Sequence, residues 1–331
     1  MNNHNTTPPP SITAVHHDII ESHILKRLDG QTLASTSCVS SEFNTLCNKE
    51  NLWKNICNIY FPSTLDLLLH NKISSHRTFF SSASSAVHHL NPTSSQPNSP
   101  KIKKLISAVD ISFEDKIICS RVIVTDSSSS WFSCSPCRID ILEPKEVVPT
   151  SVKLSIDEGE CMKHLEKSMK VSWILLDPDT NIALNVCSKN PVLVKRHWLT
   201  GEFQVKYATV VPDCRRFRGG GGGLVQCGVV VTCRMNEERE MHVKEVSMIM
   251  EDLEGLILDG SQGLEVLQQV LMNGKRKKID AIDEKERYEI FVRLKTDFFD
   301  EKQRREQRLD MMCIFTSVSI FLMFWTLVLF R

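Results

Sequence analysis

Cys134 and Cys137 are separated by two residues in a Cys-x-x-Cys pattern, the spacing of a redox or metal pair. A zinc site needs a second ligand pair at matching spacing, and none follows. A dithiol redox site needs a surrounding βαβ pattern, which is also missing. Gly219 to Gly223, preceded by Arg215, Arg216 and Arg218, invites a phosphate-loop reading. That loop requires Gly-x-x-x-x-Gly-Lys-Ser/Thr between a strand and a helix. Here no lysine follows and the next segment reads as a strand, so a hairpin tip is the better account. His197 and His242 lie in strand-like contexts without a Gly-x-Ser-x-Gly nucleophile signature. Cys161 and Cys187 have no pattern around them, and Asp177 and Asp179 flank a proline where aspartate supplies turn hydrogen bonds. The reading is therefore non-catalytic, with no metal and no cofactor expected.

Composition narrows the classes further. The chain has 331 residues, 41% hydrophobic and 24% charged, which excludes wholesale disorder. Lys plus Arg number 40 and Asp plus Glu number 40, so no general basic surface for nucleic acid is expected. Aromatics are 7%, too few for base-stacking platforms. The twelve cysteines are scattered, and Met1 to Pro10 is polar without the apolar run of a secretory signal. Most of these thiols are read as small buried hydrophobes of a reduced compartment.

The elements that must position any functional residue fall into several segments. Residues 1–11 read as a disordered N-terminus, 12–62 as a compact helical block and 63–80 as a helical extension. Residues 81–112, rich in Ser and Pro, read as a linker with too few apolar groups to repay ordering. Residues 113–272 read as an antiparallel β-sandwich-like domain. Its strands are placed at Ile117–Val124, Arg138–Leu142, Val152–Ile156, Val171–Leu176, Ile182–Val186, Val192–Arg196, Phe203–Val211, Leu224–Cys233 and Met241–Glu251, with a helix at Gly263–Met272. Strands this close, without helices between them, favour an antiparallel sandwich, and the chain as a whole is α+β.

Residues 273–310 read as a charged, solvated helix with one thin apolar stripe (Ile290, Leu294, Phe298). Met311 to Phe330 contains no charge, and as a helix it spans about 30 Å, the hydrocarbon thickness of a bilayer. Lys302, Arg304, Arg305 and Arg308 precede it, which places the N-terminal part on the cytosolic side. Only Arg331 follows, so the expectation is a tail anchor, inserted in the endoplasmic reticulum rather than the mitochondrial outer membrane. If helical throughout, Lys275–Asp310 would be a spacer of about 54 Å.

The helical block carries more apolar surface than about fifty residues can cover, which points to a partner groove. Its spaced set runs Val15, Ile19, Ile20, Leu28, Leu33, Val39, Leu52 and Trp53. The patterns Val15-His16-His17-Asp18-Ile19-Ile20, Ile24-Leu25-Lys26-Arg27-Leu28, Leu33 to Val39-Ser40-Ser41-Glu42-Phe43, and Leu52-Trp53-Lys54 resemble an F-box. His16 stands where that motif usually has Pro, and Phe43 where Trp is commoner. Ser172-Trp173-Ile174, Asp177-Pro178, Arg196-His197-Trp198-Leu199-Thr200-Gly201-Glu202 and Glu240 to Ser247 resemble plant F-box proteins in which a β domain follows the motif. Phloem-lectin F-box proteins share the plan more distantly. The resemblance implies a substrate receptor of a Skp–cullin–F-box ubiquitin ligase, with the spaced apolar set on the Skp-type adaptor and a protein substrate on the β domain. Substrate contacts are expected on the loops Lys195–Glu202, with Arg196, His197 and Trp198, and Cys214–Gly223. The alternative is a membrane-tethered, lectin-like module without a ligase role, with Trp131, Trp173 or Trp198 stacking on sugars, although Trp173, inside its strand, reads rather as core or edge packing, and Trp198, beside the Thr-Gly-Glu turn, as the exposed one.

Overall fold

The computed structural model describes residues 15–65, 75–90, 102–155, 157–213, 223–278 and 281–331. The chain opens with a short helix α1 (His17–Ile19) that runs on through a π-helical turn (Ile20–Ile24) and a 3-10 turn (Leu25–Arg27). His16 caps it, its side chain accepting from the Asp18 amide in the first turn. Asp29 accepts from the Thr32 amide at 2.8 Å and so caps α2 (Gly30–Thr36), while Ser40 caps α3 (Ser41–Cys47) through Phe43. In α4 (Glu50–Tyr60), Leu52, Trp53, Ile56 and Cys57 form the buried stripe. A 3-10 turn at Pro62–Thr64 follows, and α5 (His76–Ala83) adds Phe79 and Phe80 to the same core. Residues 66–74 of the expected helical extension lie outside the described residues, as do residues 1–14.

The sandwich has two antiparallel sheets. The small one runs in the order β3 (Lys116–Asp126), β2 (Lys104–Phe113), β6 (Met169–Asp177), β7 (Ile182–Asn185). The large one runs β4 (Arg138–Asp140), β11 (Glu240–Asp252), β10 (Gly223–Met235), β9 (Phe203–Asp213), β8 (Leu193–Arg196), with β5 (Val148–Lys153) also on β11. Their facing side chains make one core: Leu105, Val109, Ile111, Trp173 and Leu175 against Val205, Tyr207, Val229, Val231, Val246 and Met248. Tyr207 donates across it to the Met169 carbonyl at 2.9 Å. Short helix α6 (Ser130–Cys134) follows β3, and α7 (Glu158–Ser168) precedes β6. Helix α8 (Gly260–Asn273) buries Leu264, Val266, Leu267 and Val270 in this core.

Three expectations are corrected. The stretch read as a linker, 81–112, carries the end of α5, a strand β1 (Ser85–Leu90) and β2; only 91–101 lies outside the described residues. Strand β1 pairs with β12 (Gly274–Lys278), which takes the start of the expected charged helix. Second, the helical block is not separate from the sheets. Ile106 and Ala108 of β2, Ile174 and Leu176 of β6 and Ala183 of β7 belong to the same core as Leu33, Trp53 and Phe80. Strand β2 is buried on both faces because alternate side chains enter different cores. Third, the last helix, α9 (Ala281–Leu329), is one uninterrupted element of 49 residues, and its first turns lie on the outer face of the large sheet. The packed stripe is Tyr288, Phe291, Lys295 and Phe299, not Ile290, Leu294 and Phe298. Lys206 sits over the Tyr288 ring, Arg287 donates to the Val210 carbonyl, Phe291 is buried, and Lys295 pairs with Glu251 at 2.5 Å. The free charged stretch therefore shrinks to roughly residues 300–310, about 16 Å of helix. Beyond it the helix is long and apolar enough to cross a membrane, by length and composition.

Candidate functional site

Two surfaces carry the residues singled out by the sequence. On the helical block, α1, α2 and α3 present one edge to solvent. His17 Nε2 meets Glu42 Oε1 at 2.5 Å, which brings the start of α1 beside the start of α3. Ile19 (50% exposed), Val39 (72%) and the partly exposed Val15 therefore share that edge. Lys49 pairs with Glu21 and braces the π-helical turn against the loop before α4. Of the eight expected contact residues, Ile20, Leu33, Leu52 and Trp53 are buried inside the block, where they hold its own core. Trp53 donates to the Cys47 carbonyl at 2.8 Å and lies under the Arg77 guanidinium. Leu28 is half-buried in a cleft lined by Leu25, Asn55, Ile59 and Tyr60. Ile24, quoted within the F-box pattern but outside the expected contact set, is exposed, as are Ile59 and Tyr60, which the sequence did not single out. Spacing gave no signal for the last two: Ile59 and Tyr60 continue the stripe set by Leu52, Trp53, Ile56 and Cys57, and are exposed because they stand at the last turn of α4.

The block is welded to the small sheet from the other side. A Cβ at Gly30 would overlap the Phe80 ring, so only glycine lets α2 seat on α5. Asp110 of β2 accepts from the Ser63 amide at 2.9 Å, the Ser63 hydroxyl at 2.6 Å and the Ser120 hydroxyl at 2.6 Å. Burial pushes its carboxyl above the ordinary 3.8, while the Ser120 and Ser63 hydrogen bonds oppose that shift.

The second surface is the turn between β8 and β9, at one edge of the large sheet. Gly201 takes φ +70° and lets the turn close, with the Gly201 amide on the His197 carbonyl at 2.9 Å. Arg196 is already engaged: its guanidinium holds Glu158 Oε2 at 2.8 Å and the Gly201 carbonyl at 3.2 Å. Lys244 pairs with Glu202, and that hydrogen bond first of all lowers the Glu202 carboxyl. His197 is half-buried, contacts Thr200 and stacks at 6.4 Å on Trp198. Trp198 projects into solvent at 88% exposure, with the exposed Leu199 beside it. The expected triad is thus one anchored arginine, one orienting histidine and one free aromatic. Trp173 is fully buried in the sandwich core, which removes it as a sugar-stacking residue, while Trp131 is exposed. Residues 214–222 of the other expected loop lie outside the described residues; β9 and β10 pair with Asp213 opposite Gly223.

The cysteine pair is split: Cys134 is exposed, and Cys137 is buried against Met250 with its thiol pushed up to about 12 by desolvation. Among the described residues no group of three His, Cys, Asp or Glu side chains is placed to hold a metal ion.

Residues 20–59 match the F-box-like family. A probable F-box protein of Arabidopsis thaliana is 38% identical over 331 residues, covering 98% of this chain and 96% of its own. The chain belongs to the plant F-box protein family. Two further Arabidopsis thaliana F-box proteins are 37% and 38% identical, covering 97% and 89% of this chain and 97% and 84% of their own. No solved structure matches. The family match thus runs from the π-helical turn at Ile20 through α2 and α3 into α4 of this F-box protein, and the similarity to whole relatives extends through both sheets and α9.

Proposed function

We propose that this F-box protein is the non-catalytic substrate receptor of a Skp–cullin–F-box ubiquitin ligase, held in a membrane by Met311–Phe330. The observation that supports it best is the division of the helical block into two sides. One side is fused to the small sheet through Phe80, Ile106 and Asp110. The other leaves Val15, Ile19 and Val39 in water, where nothing in the fold requires apolar side chains. These three, with Leu28, Ile59 and Tyr60 along the neighbouring cleft, are the adaptor contacts of this reading; cullin joins through the adaptor. The test is a pull-down of a Skp-type adaptor by the full-length chain. An Ile19→Asp, Val39→Asp pair should weaken binding at least tenfold, since central apolar contacts commonly carry about 2 kcal/mol. Binding at wild-type strength would overturn the assignment, because neither residue supports the core.

Substrate recognition is assigned to the β8–β9 turn, where Trp198 and Leu199 stand on an anchored loop. The exposure of Trp198 equally suits a glycan, so a glycan array with the full-length chain is the discriminating measurement; sugar binding abolished by Trp198→Ala would favour the lectin-like reading. Membrane attachment rests on the fully exposed apolar half of α9. Lys302, Arg304, Arg305 and Arg308 on its N-terminal side favour a cytosolic receptor body. The endoplasmic reticulum is the membrane we assign.

A further inference from the structure

We propose that the free edge of β3 takes up an extended segment of another protein as an added strand, with β-branched apolar residues along one row and a basic residue in the other. The small sheet ends at β3, which hydrogen-bonds to β2 on one side and to no described strand on the other. It has 11 residues, whereas every other edge strand among the described residues has three to six. Edges are commonly kept short because their unpaired amides and carbonyls template a further strand. From Cys119 to Asp126 the register with β2 is regular, and Val122 to Thr125 carry no charge. The pairing sorts the side chains of this edge into two rows. Val122 and Val124 stand opposite Ala108 and Ile106, on the F-box side, and are 36% and 55% exposed. Arg121 and Ile123 stand opposite Val109 and Ser107, on the sandwich side.

Each row has its own complement. On the F-box side an added strand lays β-branched side chains beside Val122 and Val124 and prolongs the core of Ile106 and Ala108. On the sandwich side Ile123 opens on a cleft of about 520 Å³. The cleft lies where β11 changes partner: β4 pairs with Ser247, Met248 and Ile249, β5 with Glu240, His242 and Val243, and residues 141–145 of the connection form one wall. The lining holds the carboxylates of Asp140, Glu143, Glu202 and Glu245 against the cations of Arg138, Lys145 and Lys244. Arg121 in the same row is already held by Glu146 at 2.7 Å. The surplus is one negative charge, which a lysine or arginine of the added strand neutralises. Main-chain hydrogen bonds give such a strand its affinity, and pockets for alternate side chains its specificity. A second copy of this chain is not the occupant. Helix α9 crosses the outer face of the large sheet from β9 to β11. A two-fold axis that pairs β3 with its own copy, whether normal to the sheet or along the strand, reverses that direction. The two tails would then leave the pair on opposite sides, which one bilayer cannot accommodate. This exclusion alone rests on the membrane reading above.

The test is fluorescence polarisation with the full-length chain in non-ionic detergent and a labelled peptide of alternating Val and Lys, about nine residues long. It should bind saturably, and the counterpart with Glu in place of Lys at least tenfold more weakly. Successive amides of a strand point to opposite edges. N-methylation of the Val amides in one peptide and of the Lys amides in another should therefore leave one binding as before and weaken the other at least tenfold. Val124→Lys should weaken binding at least tenfold, and Trp198→Ala should leave it unchanged, which separates this edge from the substrate turn. No binding of the Val and Lys peptide, indifference to N-methylation, to the Glu exchange or to Val124→Lys, or loss with Trp198→Ala would each overturn the proposal. A disulfide mapped between two Val124→Cys copies would also overturn it, by putting a second chain on the edge. Carbonate extraction tests the membrane reading separately, and the peptide result does not depend on it.

Discussion

Asp110 is the residue on which two parts of the molecule meet, and its chemistry makes a signed prediction. Its folded carboxyl binds a proton more readily than in the unfolded chain, because burial raises it above 3.8. Its contribution to stability is therefore fully present below that value and is lost as pH rises through the raised one. Asp110→Asn removes the titration and keeps an acceptor for the Ser63 amide. Denaturant titrations of the full-length protein in detergent, from pH 3.5 to 7, should find the variant gaining on the wild type as pH rises; a flat difference would mean the carboxylate is well solvated. Asp110→Ala should instead cost about 1–3 kcal/mol at every pH by stranding the donors of Ser63 and Ser120. Neither effect was legible in the sequence, where Asp110 stands in a segment read as linker. The buried half of the expected adaptor set fails for a related reason. Leu33 and Trp53 have the same helical spacing whether their cover is the block itself or a partner. Ile59 and Tyr60 continue the stripe of Leu52, Trp53 and Ile56 and yet are exposed, so spacing distinguishes neither case.

At the scale of elements, strands of the large sheet were legible where inward apolar residues alternate with half-exposed ones, as in Phe203 to Tyr207; from Ala208 to Val211 the strand is buried on both faces, α9 covering the outer one. Strand β2 was not legible, because burial on both faces erases the alternation. Helix α7 was missed although its signal is present: Asp157 caps it by accepting from the Glu160 amide at 2.8 Å, and Cys161 and Leu165 share one buried side. The packed stripe of α9 invites a direct test. Phe291 is buried against the large sheet, and Phe291→Ala should destabilise the full-length protein by about 3 kcal/mol or more. Exposed Ile290→Ala, one residue away, should cost less than about 0.5 kcal/mol. Equal effects, measured by thermal or chemical unfolding, would mean that α9 does not pack as described. A parallel comparison holds for the F-box: Leu33→Ala should lower stability, whereas Val39→Asp should leave unfolding unchanged and affect only adaptor capture.

For the whole molecule, the expectation of a long free spacer gives way to a helix whose first turns are part of the fold, so that the proposed membrane reading has the body held close to its bilayer. Full-length protein should resist carbonate extraction, and a version ending at Asp310 should be released, because α9 up to Phe299 remains packed. If both are released, Met311–Phe330 is not a membrane segment. The shared core of the F-box and the small sheet has a different consequence, for anyone who would turn this receptor into a decoy. Deleting the F-box is the usual way to leave a substrate reader that cannot deliver its cargo. Here the deletion would uncover Ile106, Ala108, Ile174 and Leu176 at once, and the product would aggregate instead of competing. Grafting the F-box onto a foreign reader would expose the other half of the same interface. In this protein the ligase-recruiting part is not a cassette, and a clean decoy has to be made by charges at Ile19 and Val39, with every residue of the chain left in place.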